Sequence, residues 1–357
     1  MVDNPGDTSD KMLFATFNQD SSCFAIGTEN GFRIYNSYPF KDNFKRNLDG
    51  GIGRIEMLDR CNILALVGGG KHPKFAPNKV ILWDDAQAKV ISELRFTSFV
   101  KNIKLKRTKI FIVCQLKIYV FNFENFTNID TIDTYENPKG IIGISQNGNT
   151  NIIAYPDTEI GTVTIKNYDT QATNTIHAHK SEIGCLAMNK DGTLLATASE
   201  KGTLIRIFKI GDDYHILQEL RRGSEKAEIY SIAFDSNSKY LACSSDRGTI
   251  HIFNLKSDVN DSNNEQKPEN MKSSFGQLLS FFNIKNEYLS SEWSFAQYRL
   301  TCKEKNIISF CHEKDDIIIV VTMNGKYFQG IFDIKKPGEC QTSLEGEIWN
   351  MEVERKK

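Results

Sequence analysis

One unit recurs seven times along this chain, and that periodicity limits the possible folds more than any other feature. The unit is an alternating apolar run, a short turn, a second run with small residues, another turn, and a run that ends in an aromatic. First strands are expected near Met12, Gly53, Val100, Gly140, Ile183, Ile229 and Ile307, spaced by roughly 40–47 residues until the last gap. Period-two alternation rich in Val, Ile, Phe and Tyr predicts strands. Asp191-Gly192, Lys201-Gly202, Arg247-Gly248 and Asn324-Gly325 can supply the positive φ that tight hairpins need. Four strands per unit at this period describe a propeller blade. Such a sheet cannot bury its faces alone, so neighbouring blades must cover it. The expected fold is therefore all-β, a single seven-bladed β-propeller over residues 1–357. Its repeats are of the degenerate WD type: Trp83-Asp84 keeps the dipeptide, while Tyr35, Phe121, Phe208 and Phe253 stand in elsewhere. Two β-sandwiches would not repeat one unit seven times.

Charge and cysteine usage narrow the function. The net charge is −1, so nucleic acid or anionic lipid would meet no general attraction, and any anion site must be a local patch. The eight cysteines show no C-x-x-C spacing and mostly sit in apolar runs, as buried hydrophobes in a reducing compartment would. His72, His177, His179, His215, His251 and His312 form no metal-ligand spacing, and no nucleophile context is present, so neither metal nor cofactor nor catalysis is expected. GGGKHPKFAPNK lacks the G-K-[ST] of a phosphate loop and reads as a long hairpin connection. The N-terminal MVDNPGDTSDK is acidic and polar, unlike a signal peptide, and no apolar run approaches the ~20 residues of a spanning helix. Any membrane contact is expected to be peripheral and from the cytoplasm.

Before the last unit the spacing nearly doubles. SDVNDSNNEQKPENMK is polar and reads as a loop, and residues 257–290 are expected to form an insertion in the sixth blade. Phe275, Leu278, Leu279 and Phe282 then fall at i, i+3, i+4 and i+7, and Phe281 widens that stripe. Two readings stay open: a segment that covers core on the blade flank, or an amphipathic element inserted shallowly at a membrane interface.

Leu220-Arg221-Arg222-Gly223 ends the fourth strand of the fifth unit. Successive strand side chains point to opposite faces, so the two arginines look toward different neighbouring blades. Each guanidinium is a planar fork suited to phosphate oxygens. The alternative is a solvated edge that discourages sheet-to-sheet pairing. Nearby units supply hydroxyls and imidazoles in HAHK, TASEKGT and LIRIF, and again in CSSDRGTIHIF.

These segments, with FNQDSSCFAIGTENGFRIYN, LALVGGGKHPKFAPNKVILWDD, YENPKG and ELRRGS, give the chain a resemblance to the PROPPIN family over nearly its whole length. PROPPINs, the WIPI proteins among them, are phosphoinositide-binding propellers of autophagy and endolysosomal traffic. The hallmark often begins with Phe where this chain has Leu220. The resemblance implies recognition of phosphatidylinositol 3-phosphate and phosphatidylinositol 3,5-bisphosphate at two rim sites. The first would use His179, Ser199, Thr203, Arg206 and Arg221; the second Arg222, Ser244 or Ser245, Thr249 and His251. It also implies a membrane-inserting loop in the sixth blade, with Phe275, Leu278, Leu279, Phe281 and Phe282 as the inserting residues. Docking of the lipid-transfer protein of autophagy would fall near Asn18 and Asp20, side chains that could equally cap a turn. The implied protein is a monomeric cytoplasmic scaffold, recruited to autophagic precursor and endosomal or lysosomal membranes. The rival is a propeller that binds acidic peptides and no lipid.

Overall fold

The computed structural model describes residues 11–211, 213–256 and 291–351. The expected insertion at 257–290, with Phe275, Leu278, Leu279, Phe281 and Phe282, lies outside the described residues. Regular structure among the described residues is thirty strands and no helix. They assort into seven sheets, each built on four strands taken in chain order, as in a seven-bladed β-propeller. The first strands begin at Met12, Ile52, Asn102, Gly143, Ile183, Ile229 and Asn306, each within three residues of the expected start. Gly192, Gly202, Gly248 and Gly325 all take positive φ, as their hairpin turns require. The repetition extends to irregularities: a register shift follows the first residue of the innermost strand in four sheets, at Met12, Ile52, Ile183 and Ile229.

Two compact units make up the chain. The first is Met1–Gly140 with Val321–Tyr327 and Gly346–Lys357. Its apolar clusters join sheets one and two around Phe32, Ile52 and Leu66, and sheets two and three around Leu82, Ile103 and Ile112. The second unit is Ile141–Val320 with Phe328–Glu345. There Val163, Ile165, Leu195 and Phe208 join sheets four and five. Ile205, Ile207, Leu220, Leu241, Cys243 and Phe253 join sheets five and six. Ala242, Ile250, Ile252, Ile318 and Phe328 join sheets six and seven. Burying each such side chain stabilises by about 1.5–3 kcal/mol. The alternation also decides where polar residues go, because each shares a face with its neighbours two positions away.

Candidate functional site

The fifth sheet comprises Ile183–Met188, Leu194–Ser199, Leu204–Lys209 and Ile216–Arg221, with Glu292–Trp293 added in parallel to its outer strand. Leu220 pairs with Glu292 and Arg221 with Trp293, so the outer strand is not a bare edge. Arg221 and Arg222 are both only 6% exposed, which removes the solvated-edge reading. Arg221 Nε donates to Ser291 Oγ at 2.7 Å. Arg222 Nε donates to the Gly202 carbonyl at 2.8 Å, and Nη2 to the carbonyl of Glu225. The strand ends at Arg221, yet the pair diverges as strand geometry predicts.

On one face, Thr197 pairs with Arg206 and Arg206 with Glu219, while Leu204 pairs with Arg221. Leu195 and Phe208 on that face pack against sheet four, so Arg206 and Arg221 point the same way. His179, just beyond the last strand of sheet four, brings Nε2 to 3.0 Å from Thr197 Oγ1. Arg206 donates through Nη1 to the Ala178 carbonyl at 2.7 Å and through Nε to Glu219 Oε2 at 2.9 Å. Burial and then the Arg206 charge push the His179 imidazole down to about 4, so it is neutral at pH 7. Ser199 is buried on the same face, and its carbonyl accepts the Gly202 N–H. Thr203 is half-buried and receives the Arg222 N–H on its carbonyl, which ties it to the second arginine through the backbone. All five first-site residues thus sit along one hairpin and its neighbour. Thr197 and Glu219, absent from the expectation, complete the row, and Glu219 already neutralises Arg206.

The opposite face looks toward the sixth sheet, where Leu220 packs with Leu241, Cys243 and Phe253. Arg222 lies close enough to His251 to depress it, and with burial as the larger cause and Arg299 adding to the effect the imidazole falls to about 4. His251 Nδ1 is 3.2 Å from Ser294 Oγ. Burial also holds the Arg222 pKa below its ordinary value, although a guanidinium so shifted stays charged. Thr249 and Ser245 alternate with His251 and Cys243 and share their face. Ser244 has the parity of Ala242, which packs toward the seventh sheet, so adjacent serines part company. The Ser244 hydroxyl is buried without a hydrogen-bond partner among the described residues.

Asn18 and Asp20, in the first unit, cap the turn between the first two strands. Asn18 Oδ1 accepts the Cys23 N–H at 3.0 Å and its Nδ2 donates to Ser22 Oγ at 3.1 Å, while Asp20 Oδ1 accepts the Ser22 N–H at 3.0 Å. Among the described residues no cluster of His, Cys, Asp and Glu could hold a metal, and no helix is long and apolar enough to cross a membrane.

The PROPPIN family profile matches residues 12–343. Autophagy-related protein 18e of Arabidopsis thaliana is 36% identical over 332 residues, covering 92% of this chain and 86% of that protein. The Kluyveromyces lactis Hsv2 structure with complete loop 6CD superposes with a TM-score of 0.77 at 25% identity, covering 95% of this chain and 100% of that one. The complex of KlAtg21 with the coiled-coil of AgAtg16 gives a TM-score of 0.74 at 23% identity, over 94% of this chain and 99% of that chain.

Proposed function

Because this chain belongs to the PROPPIN family, we propose that it is a non-catalytic, phosphoinositide-binding scaffold of autophagy, docked peripherally on membranes from the cytoplasm. The observation that carries this reading is the divergence of two buried guanidinium groups from adjacent positions. Arg221 turns toward sheet four and His179, on the face of sheet five that also carries Ser199 and Arg206; Arg222 turns toward Ser245, Thr249 and His251. A buried cation held by hydroxyl and carbonyl oxygens is favourable ground for a phosphate dianion, whose charge replaces lost hydration. Two pockets would take two headgroups, phosphatidylinositol 3-phosphate or phosphatidylinositol 3,5-bisphosphate, with neutral imidazoles and hydroxyls orienting the ring. In sequence, residues 257–290 fall between Thr249–Asn254 and the segment Ser291–Ser294, whose hydroxyls meet Arg221 and His251. Phe275, Leu278, Leu279, Phe281 and Phe282 would insert between lipids. Each contact alone is weak, and their joint presence on one molecule multiplies affinity through effective concentration.

Once bound on autophagic or endolysosomal membranes, a single copy presents its remaining surface to protein partners. A coiled-coil partner is supported by the solved complex of the related KlAtg21. For a lipid-transfer partner we place the contact at the turn that Asn18 and Asp20 shape. Flotation with liposomes containing phosphatidylinositol 3-phosphate tests the central claim. An Arg221→Thr, Arg222→Thr double variant should lose most binding, by about 100-fold or more if each charge-assisted contact contributes ~1.5–3 kcal/mol. Equal flotation of both proteins would remove the lipid-binding reading and leave the peptide-binding rival.

A further inference from the structure

The short strand that closes the outer edge of the fifth sheet has an unexplained donor. Trp293 Nε1 is buried and has no hydrogen-bond partner among the described residues. Leaving an indole N–H buried and unpaired is costly, and native proteins rarely do so without a reason that lies in function or in a bound partner.

Its position supplies such a reason. Trp293 is the parallel register partner of Arg221, so the two side chains share the face that carries Arg206 and looks toward sheet four. Ser291, two residues earlier and of the same parity, is the hydroxyl that accepts from Arg221 Nε. The intervening parity serves the other side. Glu292 pairs with Leu220 and accepts from Gln218 Nε2 at 2.8 Å, and Ser294 meets His251 at 3.2 Å. One four-residue segment therefore gives alternate side chains to the two pockets: Ser291 and Trp293 to the arginine-221 side, Glu292 and Ser294 to the arginine-222 side.

Resting on the proposed lipid-binding function, we propose that Trp293 is a specificity-determining residue of the first pocket, its indole N–H donating to an oxygen of the phosphate monoester held by Arg221. A guanidinium alone accepts phosphate in several poses. A donor fixed in the strand directly opposite restricts which oxygen arrangement is satisfied, as bulk charge cannot.

Trp293→Phe removes the N–H and keeps the ring in place. Vesicle binding to phosphatidylcholine liposomes doped with phosphatidylinositol 3-phosphate should weaken about tenfold or more. Thermal stability of the ligand-free protein should hold or rise, because the lost donor had no partner there. A purely structural tryptophan would show the reverse, stability lost and binding per folded molecule kept. That result would overturn the inference. If the unmodified chain fails to float with these liposomes, the lipid-binding reading falls and this inference with it; if it floats and Trp293→Phe floats equally, the inference alone falls. A second readout is the indole ¹H–¹⁵N resonance of Trp293, identified by its disappearance in the variant. It should move downfield on adding soluble inositol 1,3-bisphosphate, at lower concentration than with inorganic phosphate. No movement with either, or a stronger response to inorganic phosphate, would overturn the assignment to a lipid headgroup.

Discussion

His179 and His251 stand one in each proposed pocket, and both imidazoles are pushed to about 4, chiefly by burial and secondarily by a neighbouring guanidinium. In an unfolded chain each titrates near 6.5. Above that value both states are neutral and the pair adds no pH dependence. Between about 6.5 and about 4 the unfolded chain takes up protons that the folded chain refuses, so stability falls as the solution is acidified. Shifts of this size correspond to roughly 3 kcal/mol per imidazole over the whole window. Urea midpoints of the ligand-free protein should therefore drop steadily from pH 6.5 to pH 4.5. Replacing both residues with Gln should flatten that slope, and a slope unaltered by the replacement would refute the neutral burial of these rings. At this scale the sequence was readable in part. It marked the arginines and imidazoles, whose chemistry is unmistakable, but the choice between Ser244 and Ser245 depends on strand parity, which C-S-S does not display. Thr197 was missed for the same reason: only register sets it opposite Arg206 and within reach of His179.

The turn that holds Arg222 shows how an element prepares a site. Gly202 has a φ of +59, and a Cβ there would lie 2.0 Å from the Ala227 carbonyl oxygen. Its N–H donates to the Ser199 carbonyl and its own carbonyl accepts from Arg222 Nε. Gly192, in the preceding hairpin turn of the same sheet, has a φ of +77 but no link to either arginine. Gly202→Ala should destabilise the protein by about 1–3 kcal/mol through strain and should also weaken vesicle binding, because the carbonyl that positions Arg222 must move. Gly192→Ala, whose Cβ would come nearest to the Ile152 Cδ1 end at 3.0 Å, should carry the smaller cost of its positive φ without a binding defect. Urea unfolding paired with flotation separates the two effects, and equal binding losses in both variants would show that the turn acts through stability alone. These turns were legible because lysine-glycine and aspartate-glycine pairs between apolar runs have few alternatives. The strand Glu292–Trp293 was not. Its residues come directly after the expected insertion at 257–290, whereas Phe295 is fully buried and Ala296–Arg299 is the fourth strand of the sixth sheet. A two-residue parallel pairing of Leu220 with Glu292 and Arg221 with Trp293, far apart in the chain, leaves no local pattern to read.

Across the molecule the seven-fold period carried the architecture, since one alternating unit repeated at blade length admits few other folds. How the last sheet is completed could not be read, because either end of a repeat chain can supply a strand and the choice is made by long-range pairing. The seventh sheet takes all four strands from residues 306–347, and Met12–Phe17 stays with the first sheet. Within the first compact unit, side chains rather than an exchanged strand link the chain's beginning to its end. Tyr327 donates from Oη to the Ser37 carbonyl at 2.7 Å. Its ring lies 4.8 Å from that of Phe40 and 6.3 Å from that of Phe24, which in turn stacks on Tyr35 at 4.9 Å. All four rings are buried, and the residues they join are separated by nearly the full chain, so the cluster closes a loop of high entropic cost. Tyr327→Phe keeps the rings and leaves a buried carbonyl without its donor, which should cost about 1–2 kcal/mol. Tyr327→Ala also empties the space between Phe24 and Phe40 and should cost about 3–5 kcal/mol. Every residue proposed for the two pockets belongs to the second unit, so flotation per folded molecule should be unchanged in both variants at a temperature where they remain native. Urea denaturation gives the first quantity and liposome flotation the second. A binding loss that tracks the stability loss would mean that the pockets depend on this aromatic cluster, and that the two units do not serve separable roles.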